Sequence, residues 1–168
     1  RIILVGRRHV FLEGLTVRNP NRSDAWPTPP DVQGITLAGA SDCVVRRCTV
    51  DAVYGITAYL PGARNCYVAD NTLQGITPWT MEAMGSEGRN LGEGIEMTGS
   101  GNVICHNRVE GFRDGISFME DDLAGEQASI DVYLNDINIA GDDGIEADFA
   151  MGNCRIVRNR MTNCYVGL

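Results

Sequence analysis

The chain repeats one short pattern, and the length of that repeat limits the folds open to it. Five eight-residue segments align with one another, at residues 43–50, 66–73, 102–109, 130–137 and 154–161. Each is followed by a Gly-Ile or Gly-Leu pair that begins at Gly55, Gly94, Gly115, Gly144 or Gly167, and Gly34 opens the series. Gly34 and Gly55 are 21 positions apart, as are Gly94 and Gly115. A period of this length indicates one supersecondary unit per repeat, so it fixes which residues stack on one another.

Within each repeat the apolar residues alternate with polar ones, which is the pattern of a half-buried strand. One inward column is Val45, Val68, Ile104, Val132 and Ile156, and a second is Val50, Leu73, Val109, Ile137 and Met161. The Gly-Ile pair begins a third strand. Between the first two columns stand Cys48, Asn71, Asn107, Asn135 and Asn159. Since Asn tolerates left-handed backbone angles, this column is predicted to form a tight turn with stacked, hydrogen-bonded amides.

Three short strands per repeat predict an all-β chain, wound as a right-handed single-stranded parallel β-helix of about six turns. The whole chain, 1–168, is predicted to be a single β-helix domain with loop insertions at 19–33, 75–93 and 120–129. Such loops carry binding sites or are tolerated surface insertions. The repeat breaks off at both ends, which predicts a fragment of a longer helix. Uncapped terminal turns would expose strand edges and favour end-to-end self-association.

The acidic net charge of the chain disfavours some classes of binding partner. Asp and Glu outnumber Arg, Lys is absent, and the net charge is −8. A nucleic-acid partner is disfavoured because backbone phosphates need a basic face, and an anionic membrane surface is disfavoured for the same reason. No apolar run has the length of a membrane span. The six Cys lack Cys-x-x-Cys spacing, and most are predicted to be buried thiols.

The aligned segments resemble the right-handed β-helix repeats of the pectate-lyase-like superfamily, over nearly the whole chain. That superfamily includes polysaccharide lyases, polygalacturonase-type hydrolases, uronan epimerases, phage tailspikes and carbohydrate-binding modules. The resemblance implies a substrate groove along the strand that begins with Gly-Ile, bordered by the loops before and after it. It also implies a polysaccharide partner and an extracellular or cell-surface location. One fold hosts many activities, so the resemblance does not select among them.

The repeat places two rows of side chains along this groove. The residues before each glycine are Gln33, Tyr54, Glu93, Asp114 and Asp143, and those after each isoleucine are Thr36, Thr57, Glu96, Ser117 and Glu146. Turns about 4.8 Å apart bring these carboxylates close enough to repel one another. Such a cluster favours a Ca²⁺ site at Glu93, Asp114 and Asp143, or acid–base catalysis by Asp114, Asp143 and Glu146. A solvated acidic face is the third possibility.

The chain lacks most of the short sequence motifs that the best-known enzymes of the superfamily carry. Asp142-Asp143 resembles the paired aspartates of polygalacturonase-like hydrolases, but their Asn-Thr-Asp, Gly-His-Gly and Arg-x-Lys segments are missing. Lyase chemistry would need a basic residue, for which the groove offers Arg113, with Arg64 or Arg89 from loops as alternatives. The Asp-Pro-His segment of uronan epimerases is also absent.

Aromatic residues in the repeat and in the loops complete the predicted groove. Trp26, Tyr54, Tyr59 and Trp79 are candidates for stacking on sugar rings. The sequence therefore predicts a protein that binds a polysaccharide and that could cleave it as a lyase or glycoside hydrolase. The alternative is a structural spacer of an adhesin, spike or surface protein, without catalysis.

Overall fold

A computed structural model describes residues 1–23, 30–118 and 127–168. These residues form 18 strands, six in each of three parallel sheets, with two short 3-10 turns at Pro30–Val32 and Met81–Ala83. The strands wind in a repeating order through the three sheets, which gives a right-handed parallel β-helix of six turns, as predicted. No helix in these ranges is long and apolar enough to cross a membrane.

Sheet A contains the strands that begin near the Gly-Ile pairs. Its members are β1 (Ile2–Ile3), β4 (Gln33–Thr36), β7 (Tyr54–Arg64), β10 (Glu93–Ser100), β13 (Asp114–Ser117) and β16 (Ile145–Glu146). Isoleucines pair directly across neighbouring strands, Ile35 with Ile56, Ile56 with Ile95 and Ile95 with Ile116. All of these side chains are fully buried. The register predicted from the repeat is therefore the register of the sheet.

Sheets B and C are formed by the two strands of each aligned segment. Sheet B contains β2 (Phe11–Glu13), β5 (Val44–Arg46), β8 (Tyr67–Ala69), β11 (Val103–Cys105), β14 (Asp131–Tyr133) and β17 (Arg155–Val157). Sheet C contains β3 (Thr16–Arg18), β6 (Thr49–Asp51), β9 (Thr72–Gln74), β12 (Arg108–Phe112), β15 (Asp136–Asp143) and β18 (Arg160–Val166). The predicted apolar columns line the core between the three sheets.

An asparagine ladder runs through the turn between sheets B and C. The backbone N–H of Asn71 donates to Oδ1 of Asn107 at 3.0 Å, and the side-chain amide of Asn71 donates to Val45 O at 3.0 Å. The same pattern continues through Asn135 and Asn159. At the other end of the ladder, Cys48 donates its backbone N–H to Asn71 Oδ1. The predicted stacking is present.

The predicted left-handed conformation belongs to a different residue of this turn. Positive φ angles occur immediately before the asparagine column, at Arg47, Asp70, His106, Leu134 and Arg158, and Gly14 takes this position in the first turn. The expectation that the asparagines themselves adopt this conformation is wrong. Each asparagine side chain points inward and hydrogen-bonds to the backbone, so the residue before it adopts the left-handed conformation that turns the chain.

Cysteines contribute to the core as thiols. Cys43, Cys48, Cys66 and Cys105 are buried, Cys154 and Cys164 are partly buried, and all six are free. Cys66 donates its backbone N–H to Oδ1 of Asn102 at 3.0 Å. Asn102 therefore forms a hydrogen bond of the same kind, between a side-chain amide and the backbone of the neighbouring turn, where sheet A passes into sheet B. The sequence pattern did not reveal this bond.

Candidate functional site

Acidic residues in the strands of sheet A, or just before them, form two rows on its outer side. Glu93 pairs with Asp114, while Glu96 pairs with Ser117 and Ser117 pairs with Glu146. Because the neighbouring isoleucines point into the core, the residue after each of them points outward. We call Glu93, Asp114 and Asp143 together with Glu96, Ser117 and Glu146 the acidic rows. They span three consecutive turns, as the repeat predicts.

Glycine at the corner between sheets C and A makes this arrangement possible. A Cβ atom on Gly94 would lie 2.3 Å from Val109 Cγ1 and 2.4 Å from the carbonyl oxygen of Gly115. Contacts this short exclude any side chain. The corner glycine therefore lets each strand of sheet A begin in close contact with sheet C. It places the preceding residue, Glu93 in this turn, at the edge of the outer surface.

Asp114 and Asp143 are joined directly across neighbouring turns. The backbone N–H of Asp143 donates to Asp114 Oδ1 at 2.8 Å. Asp114 is only 1 % exposed, whereas Asp143 is partly exposed. One oxygen from each of Asp114, Asp143 and Glu146 can be chosen so that all three lie within 4.8 Å of one another. These are the three residues that the sequence proposes for catalysis.

Three carboxylate oxygens at this separation suit a hard cation. Ca²⁺ binds oxygen at about 2.3–2.6 Å, so two ligands of one ion are at most about 5 Å apart. Asp114, Asp143 and Glu146 meet this requirement. Glu93, which the sequence groups with Asp114 and Asp143 as a metal ligand, is not part of this group of three. It lies one turn away, opposite Asp114.

Burial and mutual repulsion raise the pKa values of three carboxyl groups in the acidic rows, those of Glu93, Glu96 and Asp114. Burial, reinforced by the charges of Asp114 and Glu96, raises the pKa of Glu93 well above its ordinary value. Burial and the charge of Asp114 raise the pKa of Glu96 to about 7. Burial raises the pKa of Asp114 to about 6, against the lowering effects of the Asp143 N–H and Arg113. Glu93 and Glu96 therefore keep their protons to a higher pH than ordinary glutamates do.

Several buried polar atoms on the outer side of sheet A lack hydrogen bonds. Ser117 is 4 % exposed, and its hydroxyl lies beside the Glu93 carboxyl without a hydrogen bond of acceptable geometry. Glu93 Oε2 and the hydroxyls of Thr57 and Thr98 are also buried without a partner among the described residues. Unsatisfied buried groups cost about 1–3 kcal/mol each, so these atoms lower the stability of the fold.

Arg113 is the cation closest in sequence to the acidic rows. Its Nε lies 3.5 Å from Asp114 Oδ2, and its Nη2 lies 3.4 Å from Asp142 Oδ2. Sequence analysis identified Arg113 as the basic residue of the groove but did not reveal its pairing with Asp142. The signal was present in the sequence, since Arg113 and Asp142 each stand two residues before a corner glycine.

A loop of residues 75–92, the strap loop, lies against the corner next to the acidic rows. Gly85 donates its N–H to Gly141 O at 2.8 Å, and Arg113 donates its N–H to Leu91 O at 3.0 Å. Inside the loop, the buried side-chain amide of Asn90 donates to Ala83 O and Gly85 O, each at 2.8 Å. The strap loop leaves the third turn and contacts the fourth and fifth, which fixes one border of the surface.

The predicted aromatic residues are spread over this region. Tyr59 is 48 % exposed and follows Ala58, which pairs with Met97 at the start of a β-bulge. Trp79 is 40 % exposed in the strap loop, and Tyr54 is partly buried. Trp26 lies outside the described residues, as does most of the predicted loop 120–129. No pair of these aromatic side chains within the described ranges is in ring contact.

Comparison with known families agrees with this architecture. The family described as "Right handed beta helix region" matches residues 33–168. The chain therefore belongs to the family of right-handed β-helix region proteins. Strands β1 to β3 lie before the matched range and continue the same three sheets. No curated protein and no solved structure matches the chain.

Proposed function

We propose that this protein binds a polysaccharide across the outer side of sheet A and cleaves it by acid–base catalysis. The observation that carries the proposal is the convergence of Asp114, Asp143 and Glu146, which offer carboxylate oxygens within 4.8 Å of one another. An extended chain that crosses the strands would meet the acidic rows turn after turn. The substrates of such a surface favour an extracellular or cell-surface location.

Hydrolysis of a glycosidic bond needs one protonated carboxyl group and one ionised carboxylate. Asp114 suits the first role because burial raises its pKa to about 6. Asp143 and Glu146 are more exposed and suit the second role, attack on the sugar or activation of water. The small separation of these groups is closer to that of retaining enzymes, about 5–5.5 Å, than to that of inverting ones.

Aromatic side chains would provide the stacking surfaces. Tyr59 borders the acidic rows near the bulge, and Tyr54 lies one turn from Glu93 because Ile56 pairs with Ile95. Trp79 would contribute from the strap loop and Trp26 from the loop at 19–33. Replacement of Tyr59 by Ala is expected to weaken polysaccharide binding without altering the fold, because about half of this side chain is exposed.

The test is a screen of neutral and charged polysaccharides. Binding is followed by retardation in affinity gels, and cleavage by new reducing ends and by the absorbance of unsaturated products. Glu146→Gln is expected to abolish cleavage. The matched control is Asp70→Asn, which removes one charge from an exposed site in the turn between sheets B and C. Failure of every polysaccharide to retard the protein would contradict the proposal.

A divalent cation is a second candidate ligand, and the oxygen geometry of Asp114, Asp143 and Glu146 favours it. Ca²⁺ bound there would neutralise the acidic rows and could hold an oxygen of the sugar. Saturation at 100 times the dissociation constant would stabilise the fold by about 2.7 kcal/mol. Calorimetric titration should show one Ca²⁺ site that Asp143→Asn removes and Asp70→Asn retains. No heat of binding, or equal binding by Asp143→Asn, would eliminate this site.

A further inference from the structure

The outer side of sheet B differs from that of sheet A in polarity and in charge. Every turn contributes an apolar or aromatic side chain to one continuous surface, the sheet B strip, which consists of Phe11, Val44, Tyr67, Val103, Tyr133 and Val157. The charged side chains on the outer side of these strands form two ion pairs, Glu13 with Arg46 and Asp131 with Arg155. The strip is therefore locally neutral, whereas sheet A carries the acidic rows.

Two tyrosines of the strip are fixed in place by a buried thiol. Cys105 faces outward from β11 between them, yet it is fully buried. Its thiol donates to Tyr67 Oη at 3.3 Å, and its hydrogen bond with Tyr133 raises the pKa of that tyrosine. Tyr67 stands opposite Val103, two residues before Cys105, so its ring has to lie along the sheet to reach the thiol. A T-shaped contact with His106, with 5.8 Å between the ring centroids, holds Tyr133 from another side.

Beside Tyr133 the surface forms a shallow recess. Its volume is about 370 Å³, and it is lined by Asp131, Tyr133, Arg155 and Val157. Small-molecule sites commonly have volumes of about 300–1,000 Å³. Arg155 Nε donates to Asp131 Oδ1 at 2.7 Å, and both groups retain further donors or acceptors. The recess thus combines an aromatic ring, an aliphatic side chain and hydrogen-bonding groups of both kinds.

The dimensions of the strip fit a linear ligand better than a protein. Six strands with intervals of about 4.8 Å give a length of about 24 Å, and residues i and i+2 of a strand are about 7 Å apart. The strip therefore covers less than about 200 Å², well below the roughly 800 Å² that each partner of a stable protein complex buries. An extended peptide gains its affinity from backbone hydrogen bonds at a sheet edge, whereas this strip lies on a sheet face.

An uncharged glycan meets these conditions. Its pyranose rings present C–H groups that pack on aromatic faces, and its hydroxyls both donate and accept hydrogen bonds. A locally neutral strip gives no net attraction to a charged polymer. We propose that the sheet B strip binds an extended, uncharged, β-1,4-linked glycan through stacking on Tyr67 and Tyr133. Asp131 and Arg155 bond to its hydroxyls, and the flat ribbon of such a chain lies along the strip. This surface is separate from the acidic rows and holds a polymer without cleaving it.

Calorimetric titration with cellohexaose, xylohexaose and chitohexaose tests the proposal, with the α-linked maltohexaose for contrast. At least one of the three β-linked oligomers is expected to bind, and maltohexaose is expected to bind at least about fivefold more weakly. Tyr67→Ala and Tyr133→Ala should each weaken binding by about five- to tenfold, since each removes a stacking ring. Tyr133→Phe keeps the ring and should retain most of the affinity. The matched control is Tyr165→Ala, at an exposed tyrosine of sheet C, which should leave binding unchanged.

A further variant keeps the proposal testable if loss of a tyrosine prevents folding. Val157 is 51 % exposed and does not contact the thiol in the hydrogen-bond network of Cys105. Val157→Arg would fill the recess with a charged side chain and should abolish binding while the melting temperature stays close to that of the unmodified protein.

The outcomes also separate this inference from the proposed function of sheet A. Binding that Glu146→Gln or Tyr59→Ala weakens, but that Tyr133→Ala and Val157→Arg leave unchanged, would retain the proposed function and overturn the inference. Absence of binding to all three β-linked oligomers, or equal weakening by Tyr165→Ala and Tyr133→Ala, would overturn it whatever sheet A binds. Equal affinity for maltohexaose would reject the flat β-linked chain as the ligand.

Discussion

Asn107 donates both its backbone N–H and its side-chain amide to Oδ1 of Asn135, each at 3.0 Å, from one turn to the next. The same amide also donates to Val68 O at 3.0 Å on the preceding turn. Asn107 thus ties three turns together at a position that is 1 % exposed. Buried amides that are fully bonded in this way specify one register of stacking.

Removal of this amide is expected to cost much of the stability of the fold. Asn107→Ala would leave Val68 O, the N–H of Asn71 and its side-chain amide without their partner, all inside the turn. We expect a loss of about 2–4 kcal/mol in the free energy of unfolding, from unsatisfied buried groups. Chemical denaturation measures this loss.

Asn163→Gly is the control for the ladder, because the backbone of this residue is left-handed, with φ 54°, and glycine adopts that conformation without strain. Its side-chain amide donates to Asn138 Oδ1 at 3.1 Å on the exposed surface. A change within about 0.5 kcal/mol is expected there. Equal losses for the two variants would show that the position in the ladder is not what stabilises the turn.

The corner glycines are expected to be intolerant of a methyl group. Gly94→Ala would force a Cβ to within 2.3 Å of Val109 Cγ1 and 2.4 Å of Gly115 O. One of these contacts is with backbone, so relief requires movement of the sheet. We expect loss of more than about 3 kcal/mol or failure to fold. Gly152→Ala, whose new methyl would lie 3.8 Å from Ala128 Cβ, should be tolerated, and equal thermal melting of both variants would refute the argument.

Stability is expected to fall as the pH rises through the titration of the acidic rows. The pKa of Glu96 is raised from 4.5 to about 7 and that of Asp114 from 3.8 to about 6. At pH values between the unfolded and the folded pKa of each group, the folded state binds more protons than the unfolded state. Deprotonation therefore opposes folding. The free energy of unfolding should decrease by a few kcal/mol from about pH 4 to about pH 7 and then level off.

Glu96→Gln tests this pH dependence. It should flatten the decrease and raise stability at neutral pH, since one buried charge is removed. The exposed Asp131, whose pKa is lowered by a hydrogen bond from Arg155, acts in the opposite direction below about pH 4 and contributes little. Denaturant unfolding at several pH values gives the slope, and stability that rises from pH 4 to pH 7 would contradict the prediction.

The strap loop is expected to depend on Asn90. Asn90→Ala would remove the two hydrogen bonds to Ala83 O and Gly85 O, both inside the loop. Cleavage within residues 75–92 by a limiting amount of protease should become faster, while the core remains intact. Asn21→Ala, at an exposed amide bonded to Asp31, is the control. Unchanged cleavage rates in Asn90→Ala would show that other contacts hold the loop.

The repeat alone was sufficient to predict the sheets and the alignment of the acidic rows. Ile95 and Ile116 identify the register because a slip of one residue would expose both of them. Once the register is known, Ser117 must lie between Glu96 on the preceding turn and Glu146 on the following turn. Fold class and the neighbours along the groove therefore follow from periodicity.

Contacts between segments that do not follow the repeat, and the directions of individual side chains, could not be predicted. The strap loop contacts Gly141 and Arg113, far away in sequence, and nothing in its composition specifies these contacts. The tolerance of Asn for left-handed angles predicts that the asparagines take the left-handed position. Their side chains instead point inward to hydrogen-bond to the backbone, and the preceding residue takes that position. Which three carboxylates converge depends on side-chain direction, so Glu146 rather than Glu93 joins Asp114 and Asp143.

The paired isoleucines that bury one strand of sheet A against the next have an evolutionary consequence. Each turn makes the same contacts above and below, so gene duplication of one repeat would insert a turn without creating a new kind of core. Sheet A would lengthen by one strand, and the interval between its turns would stay the same. A chain of this architecture can therefore grow longer by copying a segment, with no redesign of the interior.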